Sequence, residues 1–343
     1  MASLDKVKRT KQPTPSDGSS PMFPLIPTSK LAQAQEAAAL AEEDASAAGY
    51  RGYASRVFTQ VSLPYKDPLK ADPTLRAWKR RNGDMTLKIQ PGEITYPDGH
   101  SAYELPYGKY PRLILPWLTT SIVRRNREET RVSDGTMTIA LPASTRAFFT
   151  ELGLQQSGIG SRQFTAQLRR LFKARFEVSE VVARDSGFGE RSASFQVADG
   201  FQLWFGRDSG ELAQGGLWDS QVVVSARFVE DLLSSPIPID LRALSVLAKS
   251  GPMAMDMYSW LNYRLPAARR SSVVPWEMLN WQFGGQYKLV RQFKAQFVKH
   301  LSAVQIVYPE ARITPKLEGL LIKPSPPAVP YGKLTGSSGQ ARP

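Results

Sequence analysis

One seven-residue sequence occurs twice in this 343-residue chain. It is RQFTAQL at 162–168 and RQFKAQF at 291–297, so five of the seven residues match. The two copies begin 129 residues apart, which is the size of a domain. A repeat at this distance predicts two halves built on the same plan.

Each copy has the periodicity of an amphipathic helix when its residues are placed 100° apart around the axis. The apolar side of the first helix is formed by Phe164, Leu168, Leu171 and Phe172. The apolar side of the second is formed by Leu289, Val290, Phe293, Phe297 and Leu301. The polar side of the first carries Arg162, Gln163, Ala166, Arg169, Arg170 and Lys173. That of the second carries Lys288, Arg291, Gln292, Ala295 and Lys299.

Neither 161–175 nor 286–300 contains a single Asp or Glu. A solvated helix usually mixes charges of both signs. A polar side made only of Arg, Lys and Gln suits phosphates and base edges, and small Ala166 and Ala295 let the backbone approach a groove. The alternative is two ordinary basic surface helices whose sequences match by chance.

The composition fits a globular, basic protein. Apolar residues make up 42% of the chain, and its length suits about two domains with cores of their own. The net charge of +13 favours a polyanionic partner, either nucleic acid or an anionic membrane. Without cysteine, disulfides and thiolate sites are excluded. No apolar run approaches 18 residues and no signal-peptide core follows the first lysines, so we expect a soluble, cytoplasmic protein.

Composition divides the chain into five parts. We expect a disordered basic arm with an Ala-rich helix (1–49), a turn-rich lead-in (50–104), two folded domains (105–235 and 239–323) and a disordered tail (324–343). Within the lead-in, Arg56–Leu63 and Met85–Ile89 look like strands. The basic cluster Trp78–Arg81 is either an exposed loop or a contact to a nucleic-acid backbone.

The same order of elements is predicted in both folded domains. The first has helix 110–125, strand 136–141, helices 144–152 and 160–173, and alternating stretches 175–182 and 193–205. Pro116 should break or kink its first helix. The second has helices 241–248, 252–265, 275–283 and 286–301, strand 272–274, and a hairpin of 303–308 and 312–322 with its tip at 309–311. The fold class is therefore α+β, with two tandem winged helix-turn-helix domains.

Signatures of enzymes are missing from the sequence. There is no G-x-x-x-x-G-K-[ST] phosphate loop, and the two histidines, His100 and His300, lie in different halves. We therefore expect no catalytic activity, cofactor or metal. The Met, Trp and Tyr residues of 253–265 follow helical spacing, which indicates core packing rather than a stacking platform.

Several motifs resemble the RepA-type plasmid replication initiators. They are Pro106–Leu115 followed by Trp117–Thr120, Leu152–Leu154 followed by Gly158–Arg162 and Arg170–Phe172, and Pro252 with Asp256, Tyr258, Trp260-Leu261 and Tyr263–Leu265. The similarity covers roughly 100–320. Where family members often carry an acidic residue after Trp-Leu-Thr, this chain has Thr120-Ser121.

The resemblance implies tandem winged-helix domains that bind repeated sequences in double-stranded DNA at a plasmid origin. It also implies recruitment of the host replicative helicase and initiator machinery without catalysis. Repression of the protein's own promoter as a homodimer is a further implied role. A plasmid- or nucleoid-associated location follows from the same resemblance.

The two repeat helices are the predicted DNA-binding elements. Arg162, Gln163, Arg291 and Gln292 lie near the helix starts, where recognition helices contact bases. The predicted phosphate contacts are Arg169, Arg170, Lys173, Lys288, Lys294 and Lys299. Ten contacts, counting these six together with the four residues near the helix starts, would give a log-log salt slope of roughly −9. At the first wing, Arg184 and Arg191 either reach a minor groove or stay solvated.

Three alternatives to an initiator remain open from the sequence. They are a winged-helix transcriptional repressor without an initiation role, a strand-nicking or priming enzyme, and a protein that coats RNA or chromatin without sequence specificity.

Overall fold

The computed structural model describes residues 50–127, 134–155, 157–184, 187–203, 220–284, 287 and 289–329. The predicted basic arm and Ala-rich helix, and most of the predicted tail, lie outside these residues. The chain folds as an α+β protein whose two halves share one hydrophobic core cluster. Residues 324–329 pack on the second half, where Val329 is buried and Tyr308 Oη donates to the carbonyl of Pro326 (2.5 Å).

The lead-in contains two short helices and five short strands. They are β1 (Arg51–Ala54), α1 (Arg56–Gln60), α2 (Pro68–Ala71), β2 (Trp78–Asn82), β3 (Met85–Gln90), β4 (Gly92–Thr95) and β5 (Ser101–Glu104). The strand predicted at 85–89 is confirmed as β3. The strand predicted at 56–63 is wrong, because α1 begins this segment. The cluster at 78–81 is a strand rather than a loop.

The first folded half follows the predicted order of elements. They are α3 (Pro111–Arg127), β6 (Met137–Ala140), α4 (Thr145–Glu151), α5 (Gly158–Lys173), β7 (Arg175–Arg184), β8 (Gly187–Gln196), β9 (Ala198–Gln202), β10 (Gln221–Val224) and α6 (Ala226–Ser234). Hydroxyl side chains of Ser144, Ser157 and Ser225 cap helices α4, α5 and α6. Gly153 ends the α4 turn with φ of 63°, a left-handed conformation that favours glycine.

The second half repeats this plan. Its elements are β11 (Ile237–Asp240), α7 (Leu241–Ser250), α8 (Pro252–Ala267), β12 (Ser272–Pro275), α9 (Trp276–Leu279), a π-helical turn (Asn280–Gly284), α10 (Val290–Val307), β13 (Ile313–Pro315) and β14 (Gly319–Ile322). The sheet order β12-β14-β13 is that of a winged helix, in which the first strand pairs with the last.

The second wing differs from the sequence prediction. Residues 303–307, predicted as a strand, belong to α10, so the wing is the β13–β14 hairpin with its turn at Lys316–Glu318. Helix α10 continues because Phe297, Leu301 and Val304 extend its buried side by a further turn. Alternation over a short segment does not distinguish a strand from the end of a buried helix.

The lead-in joins the folded halves through long-range strand pairing. Strand β1 pairs with β11, and β2–β3 extends the β7–β8 hairpin into a four-stranded sheet of order β2-β3-β7-β8. In a separate sheet, the order β6-β10-β9 is the same as the order β12-β14-β13 of the second half. The wing of the first half is therefore formed by β9 and β10, and the predicted assignment of this wing to the hairpin directly after α5 is wrong. The β1–β11, β3–β7 and β6–β10 pairings each connect segments that are far apart in the sequence.

Helix α3 lies in the centre of the molecule and is not broken at Pro116. It contacts β1, α5, α6, α7 and α8, and all of its residues from Pro111 to Thr120 are buried. This packing outweighs the roughly 3 kcal/mol that an interior proline costs. Thr120 Oγ1 donates to the carbonyl of Pro116 (2.7 Å) and accepts the N–H of Tyr53 (2.9 Å). The hydroxyl of Thr120 thus connects β1 to α3. Thr120 stands where members of the family that the sequence resembles often carry an acidic residue.

A buried ion pair connects α3 with α8. Arg112 Nε and Nη2 donate to the two carboxylate oxygens of Asp256 at 2.7 and 2.8 Å, and both side chains are at least nine-tenths buried. The same guanidinium donates to the carbonyls of Leu63, Pro64 and Gly108. This contact links the first resembling motif to the last and holds the lead-in between them.

A second buried arginine lies beside this pair. The guanidinium carbon of Arg80 is 4.9 Å from the ring centre of Trp78 and 5.7 Å from that of Tyr65, while Arg112 is 5.0 Å from the same Tyr65 ring. Burial lowers the pKa of Arg80. Its Nε and Nη1 have no hydrogen-bond partner among the described residues. The region around Tyr65 therefore holds two buried cations near one carboxylate.

Candidate nucleic-acid interface

The first repeat helix, α5, presents its Arg–Gln pair to solvent. Phe164, Leu168 and Leu171 are fully buried, whereas Arg162 and Gln163 in the first turns are exposed. The apolar side predicted for α5 is confirmed by this burial, and the predicted polar side is exposed at Arg162, Gln163 and Lys173. An exposed Arg–Gln pair near a helix start has the placement required for contact with base edges.

The C-terminal half of α5 is covered by the β4–β5 hairpin. Arg170 Nε donates to Glu104 Oε2 at 2.7 Å, and Arg169 Nη2 donates to the carbonyl of Thr95 at 2.7 Å. Strand β4 lies so close to the helix that a β-carbon at Gly92 would overlap the carbonyl of Lys173. The structure thus uses Arg169 and Arg170 to hold the lead-in on α5, while Lys173 stays exposed.

The sequence analysis did not predict these lead-in contacts. Gln167, on the covered side of α5, accepts the backbone N–H of Tyr107 at 2.8 Å and is 4% exposed. Tyr96 Oη donates to the second oxygen of Glu104 at 2.6 Å. A helix of basic and neutral residues does not indicate which distant carboxylate will pair with it. The only available signal was the buried spacing of Gln167 beside Phe164 and Leu168.

The Glu104 contacts make one pH-dependent contribution to stability. Burial alone raises the pKa of Glu104, but hydrogen bonds from Arg170 and Tyr96 outweigh it, so the net pKa is lowered. A folded-state pKa below the unfolded value of about 4.3 gives stability that is fully present above that value. This stability is lost as the pH falls through the folded pKa.

We expect Glu104→Gln to lower the free energy of unfolding by about 1–3 kcal/mol at pH 7. The difference from wild type should shrink as the pH falls toward 3, because the wild-type carboxylate then becomes protonated. Urea denaturation at pH 7, 5 and 3.5 measures this difference. A difference that stays constant over the series would show that Glu104 does not act through its charge.

The second repeat helix, α10, also exposes its Arg–Gln pair. Arg291, Gln292 and Lys299 are exposed, and Phe293 and Phe297 are fully buried. Lys288 lies outside the described residues. The predicted apolar side is wrong at its start, since Leu289 and Val290 are 45% and 37% exposed. Helix α10 begins at Val290, so the core contacts start only with Phe293.

Lys294 connects α10 to the second wing. Its Nζ lies 5.0 Å from the ring centre of Trp276 and points at the carbonyls of Lys316 and Leu317, at 3.4 and 3.5 Å. Trp276 Nε1 donates to the same Lys316 carbonyl at 3.1 Å. These contacts fix the position of the wing turn relative to the helix.

The hairpin β7–β8, which the sequence predicted as part of the first wing, is long, and β8 is a free edge of its sheet. Arg191 is exposed on β8, opposite Glu180 on β7. The side chain of Arg184 lies outside the described residues. Helix α10 is followed directly by its wing, whereas in the first half the β7–β8 hairpin lies in the sequence between α5 and the strands β9 and β10 of the wing.

The fold and these helix–wing pairs define a protein with two winged-helix units. The sequence model of the family described as "Plasmid encoded RepA protein" matches residues 105–278, which is just over half of the chain. The chain belongs to the plasmid-encoded RepA family of replication initiators.

Two crystal structures of domains 2 and 3 of RctB are similar to the chain. One, of selenomethionine derivatives, has a TM-score of 0.44 at 12% identity and covers 72% of this chain and 83% of that one. The other has a TM-score of 0.45 at 12% identity, with coverage of 78% and 96%. No curated protein sequence matches the chain. None of the helices in the described ranges is long and apolar enough to cross a membrane.

Proposed function

We propose that this protein initiates plasmid replication by binding repeated sequences in double-stranded origin DNA with both winged-helix units. The observation that carries the proposal is the exposure of the two Arg–Gln pairs at the starts of α5 and α10. Each pair lies on a helix whose apolar side is anchored in the core and whose half of the chain contains a three-stranded winged-helix sheet. The net charge of +13 supplies the attraction to phosphates.

In this proposal the base contacts are made by Arg162, Gln163, Arg291 and Gln292. Lys173 and Lys299 contact phosphates, because both are exposed on the same helices. Arg170 contributes less to phosphate binding than the sequence predicts, since Glu104 balances its charge within the protein. The salt slope is therefore shallower than the value of roughly −9 expected for ten contacts.

Replacing Lys173 by glutamine is expected to reduce the magnitude of the log-log salt slope by about 1 and to weaken binding equally for all DNA sequences. Fluorescence anisotropy from 50 to 200 mM salt measures the slope. Lys70→Gln, an exposed lysine on α2 outside both helices, is the matched control. An unchanged slope for the Lys173 variant would show that Lys173 does not contact DNA phosphates.

The proposal includes recruitment of the host replicative helicase and initiator machinery, with no catalytic step by the chain itself. It also includes repression of the protein's own promoter as a homodimer. Motif resemblance and family membership support these roles. Incubation of a supercoiled origin plasmid with the protein and magnesium tests the absence of catalysis, and an open circle would contradict it.

Footprinting on the DNA that flanks the protein's gene tests origin binding. We expect protection of direct repeats within a replication origin. Protection of only an inverted repeat at a promoter would favour the second candidate, a repressor without an initiation role. Equal affinity for random and origin duplexes at physiological salt would contradict both.

A further inference from the structure

The basic cluster Trp78–Arg81 is divided between the two faces of the β2-β3-β7-β8 sheet. Trp78 and Arg80 face the core, whereas Lys79 and Arg81 are exposed on the opposite side. Successive side chains of a strand point to opposite faces, so the register also assigns the residues of β3, β7 and β8 to one face or the other. We call the face that carries Lys79 and Arg81 the outer sheet face.

The outer sheet face is polar and positively charged. Where β3 pairs with β7, the register places on it only polar and charged residues, namely Lys79, Arg81, Thr86, Lys88, Gln90, Arg175, Glu177, Ser179, Ser192, Ser194 and Gln196. Lys88 Nζ forms an ion pair with Glu177 Oε2 at 3.0 Å, which balances the acidic residue of the face. The charges of Lys79, Arg81 and Arg175 therefore make the face positive.

Arg81 is held in place at the β2 edge of this face. Its Nε donates to the carbonyl of Gly83 at 2.6 Å, and its guanidinium carbon lies 5.8 Å from the ring centre of Trp281. Both Arg81 and Trp281 are exposed. A guanidinium that is already positioned in this way loses less conformational freedom when it binds an anion.

The outer sheet face adjoins both candidate recognition helices. Strand β7 begins at Arg175, two residues after the exposed Lys173 at the end of α5, and β2 lies two strand spacings, about 10 Å, from β7. The π-helical turn that carries Trp281 packs on α10 through Phe283 and Phe297, whose ring centres are 5.7 Å apart. A basic surface therefore extends from the end of α5 across the sheet to the turn that precedes α10.

We propose that the outer sheet face binds the sugar–phosphate backbone of the duplex between the segments that α5 and α10 contact. Lys79, Arg81 and Arg175 pair with phosphates, and the hydroxyl and amide side chains of the face donate to phosphate oxygens. This inference rests on the proposed function and adds to it a third DNA contact, made largely by the lead-in. Phosphate contacts carry no sequence information, so this contact fixes the position of the two halves on one duplex.

A DNA backbone suits this face better than a protein partner does. Protein–protein interfaces are centred on apolar and aromatic side chains that become buried. Where β3 pairs with β7, the described residues of the outer sheet face include no apolar side chain. Protein–DNA interfaces are more polar, more positively charged and more hydrated, which matches a face of cations, hydroxyls and amides.

The test compares a Lys79→Gln, Arg81→Gln double variant with wild type on the origin duplex selected by wild-type footprinting and on a random duplex. We expect the magnitude of the log-log salt slope to fall by about 2, and by about 1 for Arg175→Gln. Binding to both duplexes should weaken by the same factor, because phosphates are common to all sequences. The urea midpoint should match that of wild type, since the replaced side chains are exposed.

A Lys66→Gln, Lys70→Gln double variant is the matched control, because it removes two exposed lysines of the lead-in that lie outside the sheet. Single methylphosphonates, placed between the base pairs at which Arg162→Ala and Arg291→Ala relax specificity, locate the contact. Neutralising a contacted phosphate should weaken the binding of wild type but not that of the Lys79, Arg81 double variant, because the two changes remove the same interaction.

An unchanged salt slope in the Lys79, Arg81 double variant would overturn the inference and leave the proposed function intact. An equal change in the control would do the same, because it would show a general effect of net charge. A loss of affinity for single strands but not for duplexes would assign the face to unwound DNA and would also overturn it. Failure of wild type to bind the origin duplex would overturn the proposed function as well.

Discussion

Replacing Asp256 by alanine is expected to lower the free energy of unfolding by about 3–5 kcal/mol. The substitution leaves Arg112 buried without its carboxylate, close to a second buried cation at Arg80. Arg112 would keep its carbonyl contacts from Leu63 and Gly108, but these do not neutralise its charge. Urea denaturation followed by tryptophan fluorescence measures the loss.

Two further variants separate the ion pair from general effects of substitution. Asp84→Ala removes an exposed carboxylate from the β2–β3 turn and should change stability by no more than about 0.5 kcal/mol. An Arg112→Met, Asp256→Leu double variant removes both charges and should be more stable than either single variant. A loss of unfolding free energy below about 1 kcal/mol for Asp256→Ala would contradict this account. So would a double variant that is no more stable than the Arg112→Met or Asp256→Leu single variant.

The ion pair has a consequence for the architecture as a whole. Arg112 lies in the first folded half, Asp256 in the second, and the carbonyls that Arg112 contacts belong partly to the lead-in. Loss of the pair should therefore lower the stability of all three parts together rather than that of one domain. Unfolding in a single transition with an unchanged m-value would be the expected sign of that coupling.

Replacing Arg162 and Arg291 together by alanine is expected to produce the largest loss of DNA binding. Each substitution should weaken binding by about 1–3 kcal/mol and relax specificity at one base position. If the two sites are independent, the losses add to about 2–6 kcal/mol. Both side chains are exposed and far from the buried sides of their helices, so the variants should fold normally.

Anisotropy titrations of the single and double variants against the wild-type site, together with base-substituted sites, measure these effects. Arg76→Ala, an exposed arginine between α2 and β2, is the matched control for lost charge. A loss confined to the Arg162 variant would assign DNA contact to the first half alone. Unchanged binding in both single variants would refute the assignment of α5 and α10 as recognition helices.

Much of the candidate site could be predicted from the sequence. The periodicity of Phe164, Leu168 and Leu171 established which side of α5 is buried, and the matching residues of α10 did the same for the second half. Exposure of Arg162 and Arg291 follows from that periodicity. The prediction failed at Leu289 and Val290 because the helix starts there, where periodicity no longer indicates burial.

Local signals also located most element boundaries. The capping hydroxyls of Ser144 and Ser225 and the capping carboxylate of Asp240 each bond to a backbone N–H within their own first turn. Such contacts depend on residues only two or three positions apart, so the sequence contains everything needed to predict them. The helix at 56–60 was missed because α1 is stabilised by its packing on α8 rather than by its own periodicity.

The sequence by itself determined the two repeat helices, the order of elements around them and the excess of positive charge, because each depends on neighbouring residues or on composition. Only the tertiary structure decided that lead-in strands would pair with the β7–β8 hairpin, that Glu104 would pair with Arg170, and that Arg112 and Asp256 would meet in the core. These contacts join residues 66 to 144 positions apart. The local sequence specifies the charge and hydrogen-bonding groups of a side chain. The packing of the whole chain determines which distant group contacts it.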